Sequence, residues 1–258
     1  MDLQLWQWAL GVTAAFLVGL SKTGIPGLGI LVVLLLAAVF GGRASIGIML
    51  PMLIIGDCFA LAWYRQHARW EKLVGVLPWI VVGMGLGAAA LWLLGRSGGE
   101  RDTLSVLIGA LVFVMLCLHA LNRLTGERFA PTSIAGVSAT GIAAGFATTV
   151  ANAAGPIMSI YMLAHKLGKN QFMGTLAWYY FIFNVSKLPV YFALSAMEPT
   201  NPIIGLQSLT FVMMIAPAIV IGALVGRWVL PRIPEKGFES VVLVLSGASA
   251  AYLIARSL

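Results

Sequence analysis

Charge is what this chain has least of. Only 10% of its 258 residues are Asp, Glu, Lys or Arg, and only nine are acidic. A soluble domain carries about a quarter charged residues, so no soluble domain is expected. Cysteine is almost absent as well: Cys58 and Cys117 both fall in apolar stretches, where they read as small packing hydrophobes with no disulfide role. There is no cluster of His, Cys, Asp and Glu at ligand spacing, no Walker loop and no nucleophile beside a base. A metal, a cofactor and enzyme chemistry are therefore not expected. The first residues, MDLQLWQWAL, lack a basic start and a small-residue cleavage site, so a removed signal peptide is not expected either. The formal net charge of +7 would suit nucleic acid, yet the basic residues are scattered over short connectors without aromatic partners, which argues against that partner.

What the chain does have is apolar surface. It is 60% hydrophobic with a mean hydropathy of +0.96, and it holds 29 Gly and 11 Pro, a mixture suited to close-packed and interrupted membrane helices. The fold class follows as an all-α polytopic membrane protein whose first partner is the lipid bilayer, with a homo-oligomer compatible. Apolar segments run from Leu3 to Leu20, Gly27 to Phe40, Ser45 to Trp63, Leu73 to Leu94 and Thr103 to Leu121. A second set covers Thr132 to Val150, Pro156 to Leu167, Phe172 to Ala196, Gly205 to Leu230 and Phe238 to Ala255. The second member of each set is short: about 18 to 21 Å of helix against a hydrocarbon core of about 30 Å.

The two sets match in detail. Pro26 in TGIPGLG aligns with Pro156 in AAGPIMS, Gly47 with Gly174, Asp57 with Asn184, and Tyr64 with Tyr191. PWIVVGMGLG from Pro78 matches PAIVIGALVG from Pro217, which places Gly83 and Gly87 over Gly222 and Gly226. The reading is a single transmembrane domain over residues 1–258, with repeat 1 at about 3–122 and repeat 2 at about 132–256.

Charge placement orients the repeats. If every segment crosses, one side collects Arg65, Arg69, Lys72, Arg123, Arg128, Lys166, Lys169, Arg232 and Lys236, and the other keeps Arg43, Arg96, Arg101 and Arg256. Nine against four is a positive-inside bias; if the short segments return to their own side, the split is seven against six. Two inverted repeats of five segments are therefore expected, with both termini outside the cytoplasm and the short broken helices meeting near the midplane.

The stretch GLSKTGIPGLGI puts a lysine and a helix breaker where the bilayer is driest. Pro26 and Pro156 each suit the first turn of a short helix, whose free N–H groups and positive dipole end would face the repeat interface. Discontinuous-helix transporters bind anions at such ends. Lys22, flanked by Ser21 and Thr23, adds a full charge to two helix ends of about half a charge each, giving an anion site of about +2. A lysine at the bilayer centre costs about 2.5 to 3.5 kcal/mol, so either it binds an anion or it ends a shorter helix and snorkels to the surface. The substrate-binding candidates are Ser21, Lys22, Thr23, Gly24 and Gly27 on the first break, and Thr149, Asn152 and Gly155 on the second. Trp178, in mid-segment beside Tyr179 and Tyr180, joins them as a pathway or core residue.

Asp57 lies in mid-segment, with Asn184 at the equivalent place and Lys187 one turn beyond it. A buried carboxylate takes up a proton as a coupling group, or pairs with Lys22 or Lys187; Asp57, Asn184 and Lys187 are the coupling candidates. His119 reads as a core imidazole, while His67 and His165 belong to solvated basic connectors.

Four stretches, GLSKTGIPGLGI, GIMLPMLIIGDCFALAWYRQHARW, ANAAGPIMSIYML and GTLAWYYFIFNVSKLPVYF, together resemble the sulfite exporter TauE/SafE family, a membrane permease family for sulfur-containing anions. The likeness covers essentially the whole chain; many relatives have a longer glycine run where this one has Lys22-Thr23-Gly24-Ile25-Pro26. The resemblance implies export or uptake of small anions such as sulfite, sulfonates or sulfoacetate across a bacterial inner membrane; with the repeat and Asp57, the expectation is a secondary transporter, an exporter of sulfite or an organosulfonate by alternating access, with protons as the candidate coupling ion. The alternatives are an uncoupled anion channel and an uptake permease for another small anion.

Overall fold

A computed structural model describes residues 4–40, 42–97, 133–197, 199 and 202–234, with single positions 237, 240, 241, 244 and 248. The segment expected at Thr103 to Leu121, most of that at Phe238 to Ala255, Cys117 and His119 lie outside the described residues. Among the described residues all regular structure is helical. The helices are α1 (Leu5–Thr23), α2 (Gly29–Phe40), α3 (Gly42–Tyr64), α4 (Trp70–Val74), α5 (Leu77–Ser97), α6 (Ile134–Ala151), α7 (Gly155–Ala164), α8 (Lys169–Met197) and α9 (Leu206–Val229). Three stretches, Ala44–His67, Ile134–Ala151 and Leu206–Arg232, are long and apolar enough to cross a membrane. Val81, Val82 and Leu86 on α5 and Met213, Met214, Ile221 and Leu224 on α9 are exposed, an arrangement that water would penalise and lipid does not. The chain is an integral membrane protein.

It forms two compact units, residues 1–68 with 173–234, and residues 69–172 with 235–258. In the first, α1, α3 and α9 point the same way. Gly11 lies against Phe211 and Gly24 against Gly226, so α1 and α9 advance together. The Tyr64 hydroxyl, at the end of α3, donates to the Thr23 carbonyl at the end of α1 over 2.8 Å. Helix α2 turns back. Gly29 at its start sits beside Ser21, and the Phe40 ring at its end meets Phe211 at 5.0 Å, the same ring that Trp8 meets at 5.0 Å.

Helix α8 runs opposite to α3. Gly174 near its start abuts the backbone of Tyr64 and Ala68. At the far end Ser195 Oγ accepts from the amides of Ile203 and Ile204 at 3.0 Å each, and the Ile203 carbonyl abuts Gly47 near the start of α3. Ala14, Ala15 and Val18 of α1, with Ile48, Met52 and Ile215, fill the core between these helices.

The α1–α9 seam is closed by missing side chains. A Cβ on Gly19, Gly222 or Gly226 would run into the facing backbone, so these helices approach as only small residues allow. The second unit repeats this device with α5 and α6, which also run parallel: Gly145 abuts Ile80 and Met84, Gly83 abuts Ile142, and Gly87 abuts Phe146 and Thr149. Helix α7 turns back from the end of α6, and its Tyr161 hydroxyl donates to the Lys72 carbonyl over 3.1 Å.

Two boundaries differ from the sequence expectation. Helix α1 continues through Lys22 to Thr23, so Lys22 belongs to its last turn and not to the break. The amides of Gly24 and Ile25 then both return to the Leu20 carbonyl, at 2.9 and 3.1 Å. Helix α2 begins at Gly29, three residues after Pro26. The cause is Gly27 at φ 98°, a left-handed residue that holds Pro26 in the turn and delays the helix. Pro156 does stand in the first turn of α7. Cys58, expected to pack inside, is exposed on α3, one residue on from buried Asp57. His165, expected in solvent, donates its Nδ1–H to the Tyr161 carbonyl over 2.9 Å, because the end of α7 leaves that carbonyl in need of a partner.

Candidate functional site

Three helices of the first unit bring the polar residues together. Lys22 is carried by α1, Asp57 by α3, and Tyr180, Asn184 and Lys187 by α8, where positions 180, 184 and 187 share one face. Asp57 and Lys187 are completely buried, and Asn184 and Lys22 are buried with them. The Lys22 stem runs along Gly56, whose missing side chain leaves room for it. Its Nζ reaches Asp57 Oδ1 at 2.7 Å. That contact is short but is not aligned as a hydrogen bond. The other carboxylate oxygen is held directionally: Asn184 Nδ2 donates to Asp57 Oδ2 over 2.6 Å. The Tyr180 ring covers the ammonium, with Nζ 3.7 Å from its centroid, a cation–π contact in a desolvated setting.

The snorkelling alternative for Lys22 is thereby replaced. Its side chain points inward, and it gains a second favourable contact from its place at the negative end of α1. Of the pairing partners left open in the sequence, Lys22 is the one in contact with Asp57. Lys187 lies within electrostatic reach of both Lys22 and Asp57. The +2 count for the site changes accordingly, because Asp57 offsets one unit of positive charge.

The remaining candidates divide. Thr23 turns away from the pair, and its hydroxyl donates to the carbonyls of Ala223 at 2.7 Å and Gly19 at 3.1 Å, fastening α1 to α9. Gly24 packs on Gly226, Gly27 supplies the left-handed turn, and Ser21 is half-buried beside Gly29. Trp178 is half-buried on α8 and does not share the face of Asn184. Thr149, Asn152 and Gly155 belong to the second unit. There Thr149 Oγ1 donates to the Gly145 carbonyl over 2.9 Å, Asn152 caps α6 in the left-handed conformation at φ 54°, and Gly155 opens α7.

Sequence reasoning missed Tyr180, although its spacing of four from Asn184 was the available signal. It also missed Tyr179, whose buried hydroxyl has no hydrogen-bond partner among the described residues. The described residues hold no His/Cys/Asp/Glu group arranged for a metal. What the arrangement can do is hold an anion: two buried lysines stand with one carboxylate, and α1, α2, α3, α8 and α9 contain no other Asp or Glu.

Against known proteins, the family described as sulfite exporter TauE/SafE matches residues 10–253. Neither the curated proteins nor the solved structures contain a match.

Proposed function

The chain belongs to the sulfite exporter TauE/SafE family, and on that premise we propose that it is a secondary transporter moving a small sulfur oxyanion, sulfite or an organosulfonate, outward across a bacterial inner membrane. The observation that carries this reading is a buried cluster of two lysines, Lys22 and Lys187, and one carboxylate, Asp57. A cation at membrane depth is costly, and an entering anion offsets that cost. Charge-assisted contacts to an oxyanion are strong in so dry a setting.

Alternating access is supported by the symmetry of the site. Asp57 and Asn184 occupy equivalent places in the matched segments, and they hydrogen-bond to each other. Only residues on a two-fold axis meet their own counterparts. The helices that carry them, α3 and α8, run antiparallel, and Gly47 and Gly174 make equivalent backbone contacts at opposite ends. This favours two inverted repeats with the axis in the membrane plane, where inverted-repeat transporters place their substrate. The return of α2 to the end of α1 from which the chain set out favours crossing by the short segments as well. On that topology both termini face the periplasm: cysteine labels at Met1 and Leu258 react only from outside, and labels at Arg69 only from the cytoplasm. A cytoplasmic C-terminus would rule the inverted arrangement out.

The functional test is thermal stabilisation of the purified protein by sulfite, thiosulfate, sulfonates, sulfate and carboxylates, since a ligand of the folded state raises apparent stability. A sulfur oxyanion is expected to stabilise the wild-type protein, and Lys22→Met to lose that effect while remaining folded. Stabilisation that survives Lys22→Met unchanged would move the site elsewhere. Flux in proteoliposomes that rises without saturation would point to a channel.

A further inference from the structure

We infer that Asp57 is the resident ligand of the anion site: its carboxylate holds the place on Lys22 that a transported anion takes, and one replaces the other as a proton moves onto Asp57. The inference rests on the transporter reading above and specifies how the site is regulated.

The geometry leaves few alternatives around the ammonium. The Tyr180 ring covers Lys22 Nζ from 3.7 Å, and the Lys22 stem lies along Gly56. Asp57 Oδ1 holds a further direction at 2.7 Å. An external anion that seeks the same ammonium meets that carboxylate, and two anions in a dry site repel strongly. Most of what holds Oδ1 on Lys22 is the pairing of opposite charges, so a neutral Asp57 holds it far less.

Asn184 suits both states. It donates Nδ2–H to the Asp57 carboxylate now, over 2.6 Å. Turned over, the same amide presents its carbonyl oxygen to the O–H of a neutral acid. The balance closes without any other reactant: a proton from solvent bonds to an Asp57 carboxylate oxygen, and the anion pairs with Lys22. The net charge of the site is the same before and after, so a monoanion and a proton enter together without net charge.

Charged and titratable groups face Asp57 from the helices packed around it. From α1 it faces Lys22, and from α8 Lys187, Tyr180 and Asn184. Cys58 follows it on its own helix, α2 has no titratable side chain, and the α9 cation Arg227 lies over Trp63, 4.8 Å from its ring centroid.

The test uses methanesulfonate, which stays ionised throughout the neutral range, where sulfite would itself titrate. Calorimetry on the wild-type protein is expected to show affinity falling about tenfold per pH unit as pH rises. In weakly buffered solution it should show about one proton taken up per anion bound. Asp57→Asn is expected to bind with affinity independent of pH and with no proton uptake. Wild-type binding that is flat with pH and takes up no proton would overturn the inference while leaving the transporter reading in place. So would Asp57→Asn binding that keeps the wild-type slope. If Asp57→Asn does not fold, Lys187→Met decides: proton uptake that persists in it supports the exchange at Asp57, and uptake that vanishes in it overturns the inference. If neither methanesulfonate, thiosulfate nor sulfite binds the wild-type protein, both readings fall together.

Discussion

Helices α3 and α8 occupy equivalent places in the two matched halves, yet they carry opposite chemistry around one contact. Asp57 meets Asn184 where the two cross, but Tyr180 of α8 stands where α3 has Leu53, and Lys187 stands where α3 has Ala60. The breaks differ in the same way: the first carries Lys22 at the end of α1, the second has neutral Asn152 at the end of α6. The backbone devices, by contrast, are shared. Matched glycines close both parallel helix pairs, and a short helix turns back after both breaks. The matched segments share backbone devices and differ in charge. Both halves supply the site, Lys22 and Asp57 from the first and Asn184 and Lys187 from the second.

The largest effects should come from breaking what the halves share. Gly222→Leu on α9 and Gly145→Leu on α6 each drive a side chain into a facing backbone. Each is expected to cost more than about 4 kcal/mol, beyond the usual range for single changes. The readout is loss of monodisperse protein in detergent, and comparable losses from both variants are the expected result. A tolerated Gly145→Leu would show that the second seam is looser than the first.

A smaller effect should come from erasing the difference on the axis. Asn184→Asp sets two carboxylates face to face in a buried site. About 3 kcal/mol or more of destabilisation is expected, of the size seen when a buried ion pair is left unbalanced. The exchange variant Asp57→Asn with Asn184→Asp should recover part of the lost melting temperature, since one carboxylate remains. No recovery would mean that the contact with Lys22 dominates over the number of charges.

Much of this organisation was legible in the sequence. The matched prolines and glycines pointed to the helical segments and to both breaks, and residue type marked Lys22 for anion binding and Asp57, Asn184 and Lys187 for coupling, because charged and polar side chains in apolar segments are rare. Which lysine meets Asp57 was not legible, since that choice depends on how α1 sits against α3 across 35 positions of chain. The end of α1 was misplaced because Ser-Lys-Thr is compatible with a last helical turn, and the helix stops only where Gly24 and Gly27 permit the backbone to turn. Trp178 drew attention through its place in mid-segment, while Tyr180, on the face that matters, looked like one aromatic among several.

The smallest effect belongs to the second break. Asn152 at φ 54° is a left-handed cap, so Asn152→Gly is expected to change stability by only a few tenths of a kcal/mol. Asn152→Val should cost about 1 to 3 kcal/mol through backbone strain. Melting temperatures of the two variants check this. A large loss from Asn152→Gly would give its side chain a role beyond the turn.

The bond between Thr23 and Ala223 joins positions 200 residues apart. At roughly 5 to 20 residues per second, a ribosome needs about 10 to 40 s to supply the second partner after the first. Over the same interval α1 waits in the bilayer without α9, and Lys22 waits for α8. During synthesis the first helix is thus a surface of small residues, Gly11, Ala15 and Gly19, ending in Lys22 and Thr23, without its final neighbour, and whatever shelters it then, translocon wall or insertase, has to hold it for most of the time that the chain takes to make.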